Sequence, residues 1–302
     1  MKQSQFARAL WYGILGALFF AFTFIFNRSM NLSGGSWMWS ASLRYLFSLP
    51  MLAVLVWRKG ELAGVLSAIK KAPLTWLIWS TVGFGLFYGP LSLASIYGES
   101  WFVAATWQIT ILAGLLLTPL FGQKVPGKQL LMTLVILLGI ILIQIPYFGS
   151  GLGSGVVRAS LLILLAAFAY PLGNRKMMVH CKQDQLSTTQ RVFGMTLMST
   201  PFWLLLSVFA VADAGLPSGG QILQSLIVAA FSGVVATLLF FEAKHNHKQL
   251  AVVEATQAGE VLFTLLGGCL FLGDSLPSLL GFFGIAIVTI GIIGNSLLTG
   301  SD

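Results

Sequence analysis

Apolar stretches recur from one end of the 302-residue chain to the other, separated by short segments that collect glycine, proline, lysine and histidine. Read by length and hydropathy, they fall at 9–26, 37–57, 74–96, 101–121, 129–147, 156–174, 187–211, 222–242, 250–272 and 278–298. Helix crosses a bilayer core in about 20 apolar residues, whereas a barrel strand needs roughly ten of alternating character. These runs have the helical length and are apolar all round. The pattern therefore predicts an all-α polytopic membrane protein with ten transmembrane helices, each satisfying its own amides because lipid offers them no partner.

Composition excludes the soluble alternative. Hydrophobic residues make up 57% of the chain and charged residues only 9%, against about 25% charged in an ordinary soluble domain. The first run is followed by further spans and lacks a small-residue cleavage site, so it reads as a span and not as a removable signal. Cys181, at a predicted inner loop, and Cys269, within the ninth span, form no disulfide framework. His180, His245 and His247 read as solvated loop residues too few to converge on a metal. No cofactor is expected, no GxxxxGK[ST] loop for nucleotide drive is present, and no nucleophile and base converge as in an enzyme.

Charge sets the orientation. Of the 17 lysines and arginines, all but Arg28, Arg44 and Arg158 fall in segments on one side, if the spans alternate. The positive-inside rule makes that side the cytoplasm and places both termini there. The net charge of +8 is then a topology signal facing an anionic leaflet, and its scatter over several loops argues against a nucleic-acid partner.

The chain also contains itself twice. NRSMNLSGGSWMWSASLR at 27–44 and NRKMMVHCKQDQLSTTQR at 174–191 align at an offset of 147, pairing Asn27 with Asn174, Arg28 with Arg175 and Arg44 with Arg191. Further on the offset drifts to about 151, where PLFGQKVPG at 119–127 faces CLFLGDSLPS at 269–278. Residues 1–150 would hold five spans and residues 151–302 five more. Because five is odd, the second set enters from the opposite side, the inverted arrangement of alternating-access transporters.

With the repeat in view, the chain resembles the drug/metabolite transporter superfamily and within it the ten-helix bacterial multidrug resistance efflux transporters. NRSMNLSGGSWMWSASLRY at 27–45 carries most of the likeness; TQAGEVLFTLLGG at 256–268 and FLGD at 271–274 resemble the superfamily's penultimate helix and its exit. The resemblance implies a proton-coupled exporter of small organic cations or amphipathic drug-like compounds, acting as a monomer or homodimer in the bilayer. An exporter or importer of small metabolites such as amino acids, with an arginine meeting a substrate carboxylate, is the alternative. The small four-helix exporters of the superfamily use a glutamate in their first helix; here the first span, ALWYGILGALFFAFTFIFN, has no acidic residue, so that scheme does not carry over.

Ionisable groups inside a span are functional candidates, since an unpaired charge in hydrocarbon costs several kcal/mol. Glu260 lies about mid-way along the ninth span, and Thr256, Gln257 and Thr264 share its face at i+3 and i+4 spacing. A carboxyl there is expected to exchange a proton for substrate. Glu254, one turn inside the cytoplasmic end, reads equally as helix-end stabilisation. Arg44 and Arg191 are expected as gate or ion-pair residues, or as anion binders. Asn27 with Arg28, and Asn174 with Arg175, read as ends of the first helix of each half: caps, interfacial anchors or alternating gates. Tyr88, Ser92, Ser95 and Glu99 form a polar stripe on the third span, and Trp107 and Gln108 lie within the fourth, both suited to lining a cavity.

Overall fold

The computed structural model describes residues 2–148, 153–237, 239 and 256–299. Along the chain run α1 (Lys2–Leu32), α2 (Trp37–Arg58), a short amphipathic α3 (Leu62–Lys71), α4 (Pro73–Ala94), α5 (Ser100–Leu116), α6 (Gly127–Phe148) and α7 (Gly153–Gln183). After these come α8 (Thr188–Ala214), α9 (Gly219–Ala236), α10 (Ala258–Leu272) and α11 (Leu279–Thr299). Among the described residues eight helices are long and apolar enough to cross a membrane, and α5 and α10 are shorter apolar helices at the fourth and ninth predicted positions.

Local chemistry sets the boundaries. Ser187 caps α8 in a capping box with Gln190, and Ser218 accepts from the Gln221 amide to start α9. Pro73 occupies the first turn of α4, where its missing N–H costs nothing. The turns leaving α5 and α10 pass through Gly122 and Gly273 at φ 71° and 69°, a left-handed conformation that a side chain would strain. These two glycines lie at the offset of 151 seen in the sequence.

Several expectations are corrected. Asn27 with Arg28, and Asn174 with Arg175, end no helix: α1 continues to Leu32 and α7 to Gln183. Their polar groups are satisfied sideways, as the Asn27 amide oxygen accepting from Tyr88 illustrates, so the backbone has no reason to stop. The same extension takes Cys181 and His180 out of the expected loop; Cys181 is buried and His180 lies edge-on to Trp76. The 59–72 connection holds α3 instead of loop. Counted from their capping serines Ser36 and Ser187, Arg44 and Arg191 stand one turn apart in register, so they are not equivalent by helix start. Glu254, His245 and His247 lie outside the described residues.

Packing follows a regular scheme. The α6–α11 pair is in close contact, as are α2–α8 and α5–α10. Several further contacts come in twos: α4–α7 with α1–α9, α5–α7 with α1–α10, and α8–α4 with α2–α9. Exchanging α1 with α7, α2 with α8, α4 with α9, α5 with α10 and α6 with α11 turns each member of a pair into the other. Glycines permit the closest approaches: a Cβ on Gly139 would meet the Gly284 carbonyl at 2.7 Å, and one on Gly173 would overlap the Gly83 backbone. Gly83 sits in a π-helical turn of α4 at Thr81–Gly85, and α9 carries its own at Val228–Ala236.

The exterior is apolar, and the interior sets polar groups within an apolar core. Leu131, Leu134, Leu138, Ile141 and Ile145 form an exposed stripe on α6, while Asn27, Arg44, Gln108, Gln190, Glu260 and Asp274 are buried beside residues such as Trp76, Ile136 and Trp203. An apolar outer surface with polar groups turned inward is what a lipid surround requires.

Candidate functional site

The helices enclose a cavity of about 550 Å³ whose wall takes residues from all ten apolar helices. In α5 the α-helical pattern pauses at Gln108, between hydrogen bonds that span three residues in place of four, and the turn residue Gln257 immediately precedes α10, its carbonyl accepting from the Glu260 amide across three residues. The Gln108 backbone N–H donates to the Ala105 carbonyl and its side-chain amide donates to the Ala104 carbonyl, each at 3.2 Å. Gln108 and Gln257 both line the cavity, and they stand 149 positions apart, inside the 147–151 drift of the repeat. An interrupted helix presents free helix ends to a ligand.

Glu260 lines the cavity in the first turn of α10, 6% exposed. Of its expected face-mates only Gln257 joins it on the wall. Thr264 returns its hydroxyl to the Glu260 carbonyl at 2.7 Å, and Thr256 packs where a Cβ on Gly13 would overlap its hydroxyl.

Opposite in charge stand Arg44, Arg175 and Arg191, all three on the cavity wall. Arg44 is 8% exposed and held by hydroxyls, donating to Thr23 and to Ser232, each at 3.3 Å. Those hydroxyls share a hydrogen bond of 2.6 Å, and the guanidinium carbon lies 4.1 Å from the Tyr88 ring centroid, a cation–π position. Among the described residues the ion pairs are Arg28–Asp274 and Lys71–Asp184, and neither involves Arg44 or Glu260. Arg44 is therefore not the ion-pair partner of a glutamate; its ring and hydroxyl contacts leave the charge facing the cavity. Arg175 donates to the Gly114 carbonyl at 2.6 Å and to Thr118 at 3.4 Å, and Asn174, also on the wall, donates to the Tyr170 carbonyl.

Rings fill much of the remaining wall. Phe87 lies 5.0 Å from Trp107 and 4.8 Å from Tyr170, centroid to centroid. Tyr45 stacks on Trp203 at 4.4 Å and 9°. Trp107 and Gln108 line the cavity.

The third-span stripe does not. Tyr88 is fully buried beneath Arg44, and Ser92 and Ser95 spend their hydroxyls on the carbonyls of Trp37 and Ser92. Glu99 accepts from the Tyr147 hydroxyl at 3.0 Å, at the end of the helix. A polar stripe need not face a cavity when neighbouring backbone offers acceptors. Arg28 likewise lies off the wall, 3.6 Å from Asp274. Residues missed in the sequence are Thr23 and Ser232, which read as ordinary small residues, Tyr45 and Tyr170, which read as generic aromatics, and Asp274, which read as part of a turn. The glutamine pair was legible in principle from the repeat offset.

Among the described residues no group of three or more His, Cys, Asp or Glu could hold a metal. Comparison with known proteins gives a consistent picture. Residues 7–301 match the family described as "EmrE: Putative multidrug resistance efflux transporter". The chain is similar to "Uncharacterized protein YjlA" of Bacillus subtilis (strain 168), 46% identical over 303 positions that cover 95% of this chain and 93% of the relative. It is also similar to "Uncharacterized 42.1 kDa protein in intracellular alkaline protease 3'region" of Shouchella clausii, 43% identical over 87% of this chain and 73% of the relative.

Proposed function

We propose, from the premise that this multi-pass bacterial membrane protein belongs to the multidrug resistance efflux transporter family of the drug/metabolite transporter superfamily, that it is a proton-coupled secondary transporter of small metabolites bearing a carboxylate. The observation that carries the reading is the charge of the cavity wall: among the described residues it holds the guanidinium groups of Arg44, Arg175 and Arg191 and the carboxyl of Glu260. Fixed cationic donors in a site shielded from water favour an anionic group. Glu260 is the protonation site and the rings hold the apolar part of the substrate.

Alternating access by two inverted halves of five apolar helices, α1, α2 and α4–α6 against α7–α11, supplies the motion; the pairing of several interhelical contacts supports it. Both termini lie in the cytoplasm of the inner membrane, following the lysine and arginine bias, and transport runs outward. The second reading is an organic cation. It is favoured by the Phe87, Trp107 and Tyr170 ring cluster beside Glu260.

Everted vesicles carrying the purified protein test the coupling. An imposed pH gradient is expected to drive uptake in the parent chain, and Glu260→Gln to abolish the gradient's effect while substrate still binds; gradient-driven flux that survives in Glu260→Gln removes the assignment. A panel of carboxylates, zwitterions and quaternary cations, scored by the rise in thermal stability each gives, separates the two substrate classes.

A further inference from the structure

At one end of the bundle Asp274, in the turn between α10 and α11, is almost completely enclosed, its side chain 1% exposed. Its carboxylate accepts from the Ser100 amide at 2.9 Å and from the Ser100 hydroxyl at 2.5 Å, satisfying a helix-start N–H of α5. The other oxygen lies 3.6 Å from Nε of Arg28 on α1. Arg28 in turn donates to the Ser95 carbonyl at the end of α4 at 3.1 Å, and Asn31 donates to the same oxygen at 3.1 Å. One carboxylate thus ties the second half of the chain to three helices of the first. Room for it exists only because position 268 is glycine: a Cβ there would overlap both the Ser100 hydroxyl and the Asp274 carboxylate. Beside it Trp101 donates to the Ser275 carbonyl at 2.9 Å, closing the same joint.

The exchange that relates the halves carries this joint to the opposite end. Arg28 maps on Arg175, and the Gly273–Asp274 turn maps on Gly122–Gln123, with the left-handed glycine retained. There the residue after the glycine is neutral and exposed, and Arg175 faces the cavity bound to the Gly114 carbonyl and Thr118. At the mirrored turn a neutral glutamine stands where the outer turn has an aspartate.

We propose that Asp274 is the anion of an outer latch, which holds the outer side of the carrier closed until Arg28 is released. This rests on the alternating-access reading above. Breaking a buried pair by removing one partner is strongly destabilising to the state that contains it, so loss of either charge shifts the population toward outward-facing. Opening the outer side then has to displace Arg28 from both Asp274 and Ser95.

Leu91, on α4 one turn before Ser95, lines the cavity and is 2% exposed. In a chain with Cys181 and Cys269 replaced by serine, Leu91→Cys reports access from outside through its labelling by a membrane-impermeant sulfonated maleimide on intact cells. Asp274→Asn and, separately, Arg28→Gln are expected to speed that labelling about ten-fold, the size of an ordinary conformational coupling. The charge swap Arg28→Asp with Asp274→Arg is expected to return it toward the parent rate. Should Asp274→Asn fail to accumulate, Arg28→Gln and Ser100→Ala read the same quantity without touching the turn. Unchanged labelling in folded variants overturns the latch, whatever happens to flux. Faster labelling in a chain that moves no substrate in any vesicle assay keeps the latch and overturns the transport reading.

Discussion

Replacing Arg44 by glutamine separates a substrate-binding guanidinium from a structural one. In the folded protein the change removes a cation–π contact at 4.1 Å and two hydrogen bonds of 3.3 Å. The contact is worth ~2 kcal/mol where water is excluded, and hydrogen bonds to a charge ~1.5–3 kcal/mol each. Against this, a buried guanidinium with no carboxylate partner carries a desolvation cost of several kcal/mol, which the neutral side chain does not. Thr23 and Ser232 keep each other as partners at 2.6 Å, so no hydroxyl is orphaned. The two sides nearly cancel, and stability should change by no more than ~2 kcal/mol. Binding has no such compensation: losing a charge-assisted hydrogen bond to a substrate carboxylate costs ~1.5–3 kcal/mol, or about 10–150-fold in Kd. The assay is the concentration dependence of flux in vesicles, together with substrate-induced thermal stabilisation in detergent. Arg44→Lys, which keeps the charge but not the forked geometry, should fall between. If Arg44→Gln unfolds the protein, or if folded Arg44→Gln binds a carboxylate substrate within about two-fold of the parent, the reasoning is wrong.

Two further predictions concern the frame. Gly173→Leu would drive a side chain into the Gly83 backbone, so thermal unfolding should report a loss of ~3 kcal/mol or more, whereas Gly127→Ala, with nothing within 4 Å, should be neutral. Lys71→Ala removes an ion pair whose lysine side chain is 67% exposed; unfolding should shift by less than ~1 kcal/mol, and the shift should vanish at high salt.

Apolar run length alone located the helices, because burial in lipid leaves little freedom in how a long apolar segment satisfies its backbone. Helix ends were less legible. Asn27 and Arg28 look like a terminus, yet Tyr88 and Asp274 answer their polarity from other helices, and no local pattern records such partners. For the cavity, Glu260, Trp107, Gln108 and the arginines could be picked out by their cost or size. Thr23 and Ser232 could not, since a hydroxyl in a span normally bonds its own helix, and only the bundle brings these two together around Arg44. Tyr88, Ser92, Ser95 and Glu99 share a face, but the face meets helix ends and a guanidinium, and periodicity says nothing about what lies opposite.

The seam between α6 and α11 has a mechanical consequence. Where Gly139 and Gly284 meet, each backbone lies so close to the other that even a methyl group would collide, and the surfaces interlock too tightly to slide. Rotation about the seam is the motion it leaves free. An axle of this kind makes displacement grow with radius: a few degrees of turn barely disturb the glycines, yet become ångströms at the rim of the bundle, enough leverage to unseat a side chain without bending any helix.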